Sequence, residues 1–597
     1  MDVTAQSADL IPPYGGALVN LMSEGEARDE LLSRAKHLPS VQISLRSMCD
    51  LEQLAVGAFS PLDRFMGEQD YRSVLASLRL ADGTIFPMPV TLPIDSSQNV
   101  VIGREIGLRS PTNEVLAVMR VDEVYSWDLE EEAARVAGTA ESRHPFVSEM
   151  HTWGKRCISG PLTVVNLPRH RDFPTLRRTP AEVRCLLARM GRPNVAGYQP
   201  RHLMHRAHEA LTKSVAEQIN GSILINPAAG TTGYSDGEHY SRIRCYKALI
   251  EGRYDPSGTL LNLMPLAVRL AGPRAGLWQG IINRNYGVSH FIIGSDPHCV
   301  LPDAHGKAFH EYPRADQELY RNLEQEAGLR MIPLREMVYL PEGNRYEISE
   351  HAMVRKERYI RVSATRIIEE SEFQGKPLPE WFTYPEVARI IREANPPKLH
   401  QGFCVWLTGL PSSGKSTIAD HLEPMLMARG KKVTLLDGDV VRTHLTRGLG
   451  FSKEDRLTNI LRVGFVAAEI VRHNGVAICA LISPYCAARH QVRAMMGQGK
   501  FIEVFVDTPV AVCETRDVKG MYSQARRGTL KGFTGVDDAY EPPESPEIRI
   551  NTTSDSPEAS ARAIIAFLEE QGFVERESPV SGAVIGESLG YRLPAHQ

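Results

Sequence analysis

From residue 40 to residue 165, short apolar runs such as "TIFPMPVTLPID", "NVVIGREIGLRS" and "EVLAVMRVDEVY" alternate with turn-forming residues. That rhythm predicts a mostly β module. From about Pro161 it changes to strands alternating with helices. "NVAGYQ" is followed by a helical stretch, "GSILINPA" by a helix near Arg242–Glu251, and "SHFIIGSD" follows the helical "RAGLWQGIINRNYG". Such alternation predicts a parallel sheet with crossover helices. Residues 335–395 predict a small appendix that ends on the helix "YPEVARIIREA", and "NPPKLHQG" has the composition of a linker, here placed at 396–402. A second α/β unit then opens with the apolar strand "FCVWLTG" and runs to about residue 573, ahead of a weakly patterned tail at 574–597. The fold class is therefore multidomain α/β, as 597 residues in one chain also require.

Composition narrows the function little. Formal charge is 68 − 72 = −4 with both signs interspersed, so no basic patch argues for nucleic acid. Charged content of 23% and hydrophobic content of 42% are those of a globular protein, and no apolar run reaches membrane length. The nine cysteines are scattered without a CxxC pair, and "MDVTAQSADL" lacks the features of a secretory leader. A cytoplasmic enzyme with no membrane partner is the expectation.

The chemistry begins at "GLPSSGKST", which places Gly409, Gly414, Lys415 and Ser416 in the G-x-x-x-x-G-K-S arrangement between an expected strand, Phe403–Thr408, and a helix from Ser416. That is the setting a phosphate-binding loop requires. Gly409, Leu410, Pro411, Ser412, Ser413, Gly414, Lys415, Ser416 and Thr417 are the candidate ATP-binding residues. Backbone N–H groups face the phosphates, Lys415 adds a point charge, and the Ser416 hydroxyl can ligate Mg²⁺. "LLDGDVVRTHLTRGLGFSKEDRLTNILR" then ends a strand on Asp437 and Asp439 and supplies Arg442, Phe451, Arg456 and Asn459. Carboxylates at a strand's carboxyl end beside such a loop hold a metal or accept a hydroxyl proton. Two arginines and an aromatic ring suit an anionic, base-bearing acceptor, against the plainer reading of solvated helix charge.

With "LDGDVVR", "LGFSKEDR", "LISPY", "VFVDTPVAVCETRDVKGMY" and "GFTGVDDAYEPP" in order, residues from about 402 to 573 closely resemble adenylylsulfate (APS) kinase. The resemblance implies a P-loop kinase with a parallel sheet that transfers the γ-phosphoryl group of ATP to the 3′-hydroxyl of APS. Its products are PAPS and ADP, and Mg²⁺ accompanies the ATP. Carried over by position, it makes Lys415 and Asp439 catalytic, Asp439 being the base, with Ser416 and Asp439 on the metal. Arg442, Arg456 and Asn459 hold the phosphosulfate, Ile482 and Ser483 line its site, Phe451 and Phe533 sandwich the adenine, and Lys519 belongs to a lid. Val518 and Cys486 depart from the family pattern, where proline and arginine are usual.

The first ~390 residues resemble ATP sulfurylase. "MCDLEQLAVGAFSPLDRFMGEQDY" and "LADGTIFPMPVTL" look like its β-rich, PUA-like domain (1–165), and "PEWFTYPEVARIIRE" like its small third domain (335–395). Between them, residues 166–334 match its Rossmann-like nucleotidyltransferase domain. The candidate pocket comprises Gln199, Arg201, His202, His205, His208 and Ser295. Gln199, Arg201, His205 and His208 stand where the family has them, and Arg201 is suited to sulfate or an α-phosphate. A zinc role for His205 and His208 lacks a third ligand at suitable spacing. His202 replaces an asparagine, with Pro200 and Leu203 beside it. Ser295 replaces an arginine, Pro297 and Asn226 replace histidines, and Gly233 replaces a lysine. Losing several anion donors predicts an impaired or inactive sulfurylase, since one preorganised donor is worth roughly 10²–10³ in rate. A rewired bifunctional PAPS-forming enzyme and a non-catalytic nucleotide-binding assembly protein are the alternatives. Homo-oligomers are the family's expectation.

Overall fold

A computed structural model describes residues 9–576 except 96–97, 99, 142–143, 231–235, 294–320, 322–323, 364–365, 369, 371–376, 395, 497–498 and 518. Val518, Gly233, Ser295, Pro297 and nearly all of the tail lie outside the described residues. The chain divides into two compact units, Met1–Ala364 with Leu378–Ala394, and Thr365–Pro377 with Asn395–Gln597.

The first unit begins with a four-stranded sheet of Ser40–Gln42, Glu105–Arg109, Val115–Arg120 and Leu162–Val164, and a three-stranded sheet of Pro93–Ile94, Arg156–Ser159 and Glu123–Ser126. The sheets agree with the expected β module, but helices Gly25–Ala35, Leu45–Ala55 and Glu68–Ser77 accompany them. Leu45–Ala55 is buried nearly all round, and its polar residues are paired with distant ones. Arg46 meets Glu149, Asp50 meets Arg269, and Glu52 meets His170. One continuous core joins this module to the next, as where Phe59 and Trp278 pack with ring centroids 5.1 Å apart.

The next layer is a parallel sheet. Its elements are β1 (Val195–Tyr198), α1 (Arg206–Gln218), β2 (Ser222–Ile225), α2 (Asp236–Arg253), β3 (Thr259–Leu261), α3 (Gly272–Asn285), β4 (His290–Ile293) and β5 (Arg330–Pro333). The strand order β3-β2-β1-β4-β5 reverses direction between β1 and β4. Ligands of open α/β sheets bind at the carboxyl ends of strands beside such a reversal, and Gln199 to His208 leave β1 there. The small antiparallel sheet of Met337–Leu340, Arg345–Ile348 and Ile360–Arg361, with helix Pro385–Ala394, completes the unit.

The second unit is a doubly covered parallel sheet. It comprises β6 (Phe403–Thr408), α4 (Lys415–Ala428), β7 (Val433–Asp437), α5 (Gly438–His444), α6 (Lys453–Arg472), β8 (Val476–Ala480), α7 (Cys486–Met495), β9 (Phe501–Val506), α8 (Val510–Arg516), α9 (Met521–Arg526), β10 (Ile548–Ile550) and α10 (Pro557–Glu570). Strand order is β7-β8-β6-β9-β10. Central β6 shows why its sequence is apolar throughout. Phe403, Val405 and Leu407 enter the core under α4 and α10, while Cys404 and Trp406 enter the core on the other face with α6 and α7. Among the described residues, no helix is long and apolar enough to cross a membrane.

Candidate functional site

In the second unit the chain turns from β6 into α4 through the glycine-rich loop. Gly414 has φ +104°, a left-handed conformation that favours glycine, and a Cβ on Gly409 would lie 2.6 Å from the Val506 carbonyl oxygen. The loop is pinned from below, since the Thr508 and Thr552 hydroxyls donate to the Ser413 carbonyl at 3.1 and 3.0 Å. Lys415 lies inside the curl and donates to the carbonyls of Gly409 at 3.0 Å and Leu410 at 2.7 Å. Burial pulls its ammonium down to about 8, with the Cys513 and Asp437 charges acting in the opposite direction.

At the mouth of the loop, the Ser416 hydroxyl donates to Asp437 Oδ2 at 2.6 Å. Asp437 also caps α5, its Oδ1 accepting from the Asp439 N–H at 3.0 Å. Asp439 instead points outward, where Lys519 pairs with its Oδ2. The contact that suits a shared metal thus falls on Ser416 and Asp437, whereas the family resemblance implied Ser416 and Asp439. Asp437 and Asp439 follow each other so closely that sequence could not tell which carboxylate faces the loop. The oxygens of Ser416 and Asp437 fit a hard cation such as Mg²⁺, which takes few protein ligands and completes its shell with water and phosphate. Among the described residues, no group of three or more His, Cys, Asp or Glu forms a metal cage.

On the acceptor side, Arg442 lies over the Phe451 ring with its guanidinium carbon 4.2 Å from the centroid, and Phe451 is 57% exposed. Burial and the neighbouring Arg456 charge lower the Arg442 pKa. Arg456 acts as a clasp. It donates to the Phe451 carbonyl at 2.9 Å, to Thr534 Oγ1 at 2.5 Å, to Asp538 Oδ2 at 2.6 Å and to the Gly532 carbonyl, tying "GFTGVDD" to the start of α6. Four other predicted residues are also tied to the interior. Asn459 accepts from the Thr446 hydroxyl at 2.7 Å, and Phe533 packs edge-on against Tyr522 within a small apolar cluster. Ser483 Oγ accepts from Trp406 Nε1 at 3.0 Å and donates to Thr408 Oγ1 at 2.9 Å, while the Ile482 carbonyl takes a bond from the Thr408 hydroxyl at 2.9 Å.

Sequence reasoning missed the support beneath this segment. Arg489, 1% exposed, donates to Glu503 Oε1 at 2.7 Å, to the Ser483 carbonyl at 2.6 Å and to the Glu541 carbonyl at 2.8 Å. Glu503 is shared with Arg493 at 3.1 Å. The available signal was a charged residue inside the otherwise apolar strand "FIEVFV", since a carboxylate there requires a buried partner.

In the first unit, Gln199, Arg201, His202, His205 and His208 lie together after β1. His205 is buried between His208 and Phe382, at centroid distances of 4.0 and 4.9 Å. Burial holds its pKa well below the ordinary range, and His208 adds to the effect, so the ring is neutral. His208 Nδ1 accepts from the His205 N–H at 3.4 Å, and its ring stacks on Tyr198 at 5.8 Å. The exposed His202 and the half-buried Arg201 give their carbonyls to Tyr246 at 2.7 Å and Arg242 at 2.8 Å. Asn226 lies at the floor with no exposed surface, and its side chain is bonded to the Asn262 and Asn283 amides and the Met264 sulfur.

Fold and loop together define a P-loop kinase unit joined to a nucleotidyltransferase-type α/β unit. Family models match three successive stretches: a PUA-like domain at 11–167, ATP-sulfurylase at 174–394 and adenylylsulphate kinase at 401–551. Sulfate adenylyltransferases of Phaeosphaeria nodorum and Yarrowia lipolytica are each 38% identical, over 94% of this chain and 99% of their own. The hexameric APS kinase of Thiobacillus denitrificans is 31% identical and superposes with a TM-score of 0.75, over 95% of this chain and 100% of that one. The chain belongs to the sulfate adenylyltransferase family, in the form that fuses ATP-sulfurylase and APS-kinase regions.

Proposed function

We propose that the chain is an APS kinase, passing the γ-phosphoryl group of ATP to the 3′-hydroxyl of APS and releasing PAPS and ADP. The observation that carries this reading is the convergence of Lys415, the Ser416–Asp437 pair and the Asp439–Lys519 pair at one loop mouth. Lys415 neutralises phosphate charge from within the loop, and Asp439, exposed at the first turn of α5, accepts the proton of the attacking hydroxyl. Ser416 and Asp437 would hold Mg²⁺, which would supply charge neutralisation on the phosphates. The Arg442–Phe451 stack offers an adenine ring one open aromatic face with a cation behind it, which suits the nucleotide half of APS. Arg456, Asn459, Ser483 and Phe533 shape that site as its walls. The length-spanning relative from Thiobacillus denitrificans, a hexameric APS kinase, supports this reading and a homo-oligomer here.

The first unit, in this reading, keeps the sulfurylase fold with weak or absent turnover, because amide, guanidinium and imidazole donors are replaced at His202, Ser295 and Pro297. A bifunctional enzyme is the competing reading, favoured by the sulfate adenylyltransferase names of the 38% identical relatives. Two assays on purified full-length protein decide. APS-dependent ADP release from ATP tests the kinase, and its absence sinks the first reading. ATP formation from APS and pyrophosphate tests the sulfurylase, and family-like rates establish the bifunctional one.

A further inference from the structure

Four side-chain amides form a buried relay under the first unit's pocket, and it has a single polarity. Asn226, Asn262 and Asn283 have no exposed surface, and Gln199 has 8%. At one end, Asn262 Oδ1 accepts from the Arg178 backbone N–H at 3.0 Å. Asn262 Nδ2 then donates to Asn226 Oδ1 at 3.0 Å, and Asn226 Nδ2 to Asn283 Oδ1 at 3.1 Å. Asn283 Nδ2 donates to both the Gln279 backbone carbonyl, at 2.9 Å, and Gln199 Oε1, at 3.0 Å.

A backbone N–H only donates and a backbone carbonyl only accepts, so both anchors are fixed. Each anchor on its own requires the same orientation of every amide between them. Flipping any one of them sets two donors or two acceptors face to face in a dry interior. The orientation of Gln199 follows: its oxygen faces Asn283, and its Nε2 is the free end of the relay. That Nε2 is buried and has no hydrogen-bond partner. Gln199 also directly follows β1, at the carboxyl end of the sheet beside the reversal in strand order.

We propose that Asn283, backed by Asn226 and Asn262, is a positioning residue that makes Gln199 an obligate donor, so that the pocket takes an acceptor there, an oxyanion oxygen of sulfate or of a nucleotide phosphate. Asn226, at a position where the resemblance expects histidine, is thus part of a rebuilt floor as well as a lost imidazole. The inference concerns anion binding by the first unit and stands apart from the kinase assignment.

The test is a calorimetric titration of the full-length protein with sodium sulfate. A second arm uses ATP in a Lys415→Ala background, so that binding in the kinase unit does not mask the result. Saturable sulfate binding identifies the anion itself, and binding of ATP alone identifies a nucleotide phosphate. Asn283→Asp keeps the shape but cannot donate to Gln199, and Gln199→Leu removes the terminal donor. Each weakens anion binding by about tenfold or more, the value of one hydrogen bond to a charged group. In the double variant the loss stays within about threefold of the worse single, because Asn283 acts through Gln199; a residue that only supports the fold would add its own loss. With Lys415 intact, APS-dependent ADP release is unchanged in each pocket variant and serves as the control for folding. If neither anion binds saturably, if Asn283→Asp binds as the parent does, or if the two losses simply add, the proposal is wrong. Should Asn283→Asp not fold, Gln199→Leu leaves the three asparagines paired, and undiminished binding in that variant overturns the proposal on its own.

Discussion

Lys519 closes on Asp439 across 80 positions of sequence, holding the segment before α9 against the first turn of α5. Both side chains are well exposed, at 60% and 72%, so the pair adds little to stability. Its consequence is positional, because it places a cation beside the candidate base. Asp439→Asn is expected to keep APS binding within a few-fold and to lower kcat by roughly 10²–10⁴. Lys519→Ala is expected to leave the melting temperature unchanged while reducing kcat/KM for APS. Steady-state kinetics with APS varied check both, and parental kcat in Asp439→Asn removes the base from this position.

ATP binding is expected to depend on pH through Lys415. Burial holds its folded-state pKa near about 8, below that of an unfolded chain's lysine. Between those two values the unfolded chain binds more protons, so folding becomes more favourable as pH rises through that window. ATP acts in the other direction, because its phosphates favour the charged ammonium. Above pH ~8 binding must take up a proton, and affinity falls by up to about tenfold per pH unit. Calorimetry in buffers of different ionisation enthalpy measures the uptake. Constant affinity from pH ~7 to ~9.5 would show that Lys415 is not the titrating group.

Removing Arg489 exposes the cost of the buried network. Arg489→Ala leaves Glu503 paired with Arg493 and removes the shortest hydrogen bonds to the Ser483 and Glu541 carbonyls. Ser483 holds a positive φ of +39°, and Arg489 is bonded directly to its carbonyl. A loss of about 3 kcal/mol is expected in urea unfolding, together with a KM for APS that rises more than the KM for ATP. Equal changes in the two KM values would argue that Arg489 serves only the core.

The parts legible in the sequence were those written in contiguous residues. "GLPSSGKST" carries its whole geometry within nine positions, and the strands of both parallel sheets are short apolar runs bounded by turns. Helix Leu45–Ala55 escaped because Arg46, Asp50 and Glu52 break its apolar pattern, and their partners lie at Glu149, Arg269 and His170. A polar residue that is buried and paired is indistinguishable in one dimension from one that is solvated. The same holds for the inward-turned Asn459 and Ser483, and for the amide relay, whose members span residues 199 to 283. Sequence gives the inventory of donors, and only the fold gives their direction.

That distinction decides how to repair the first unit's pocket. His202 is exposed at the pocket rim, so an asparagine there needs no space inside the core. Asn226 is different, since an imidazole there would break two hydrogen bonds between side-chain amides at a site with no exposed surface. His202→Asn combined with Ser295→Arg and Pro297→His is therefore expected to raise ATP formation from APS and pyrophosphate, by about 10²-fold if one restored donor is well oriented. Adding Asn226→His to that triple variant is expected to lower the activity again and to reduce thermal stability, because the relay loses its polarity at Asn283 and Gln199. The reaction is read in this direction because APS is a high-energy anhydride and its formation is strongly uphill. If the quadruple variant is the more active one, the relay does not organise the pocket and the missing imidazole was the principal loss. If the unmodified protein already runs the reaction at family-like rates, the pocket needs no repair and the chain is bifunctional.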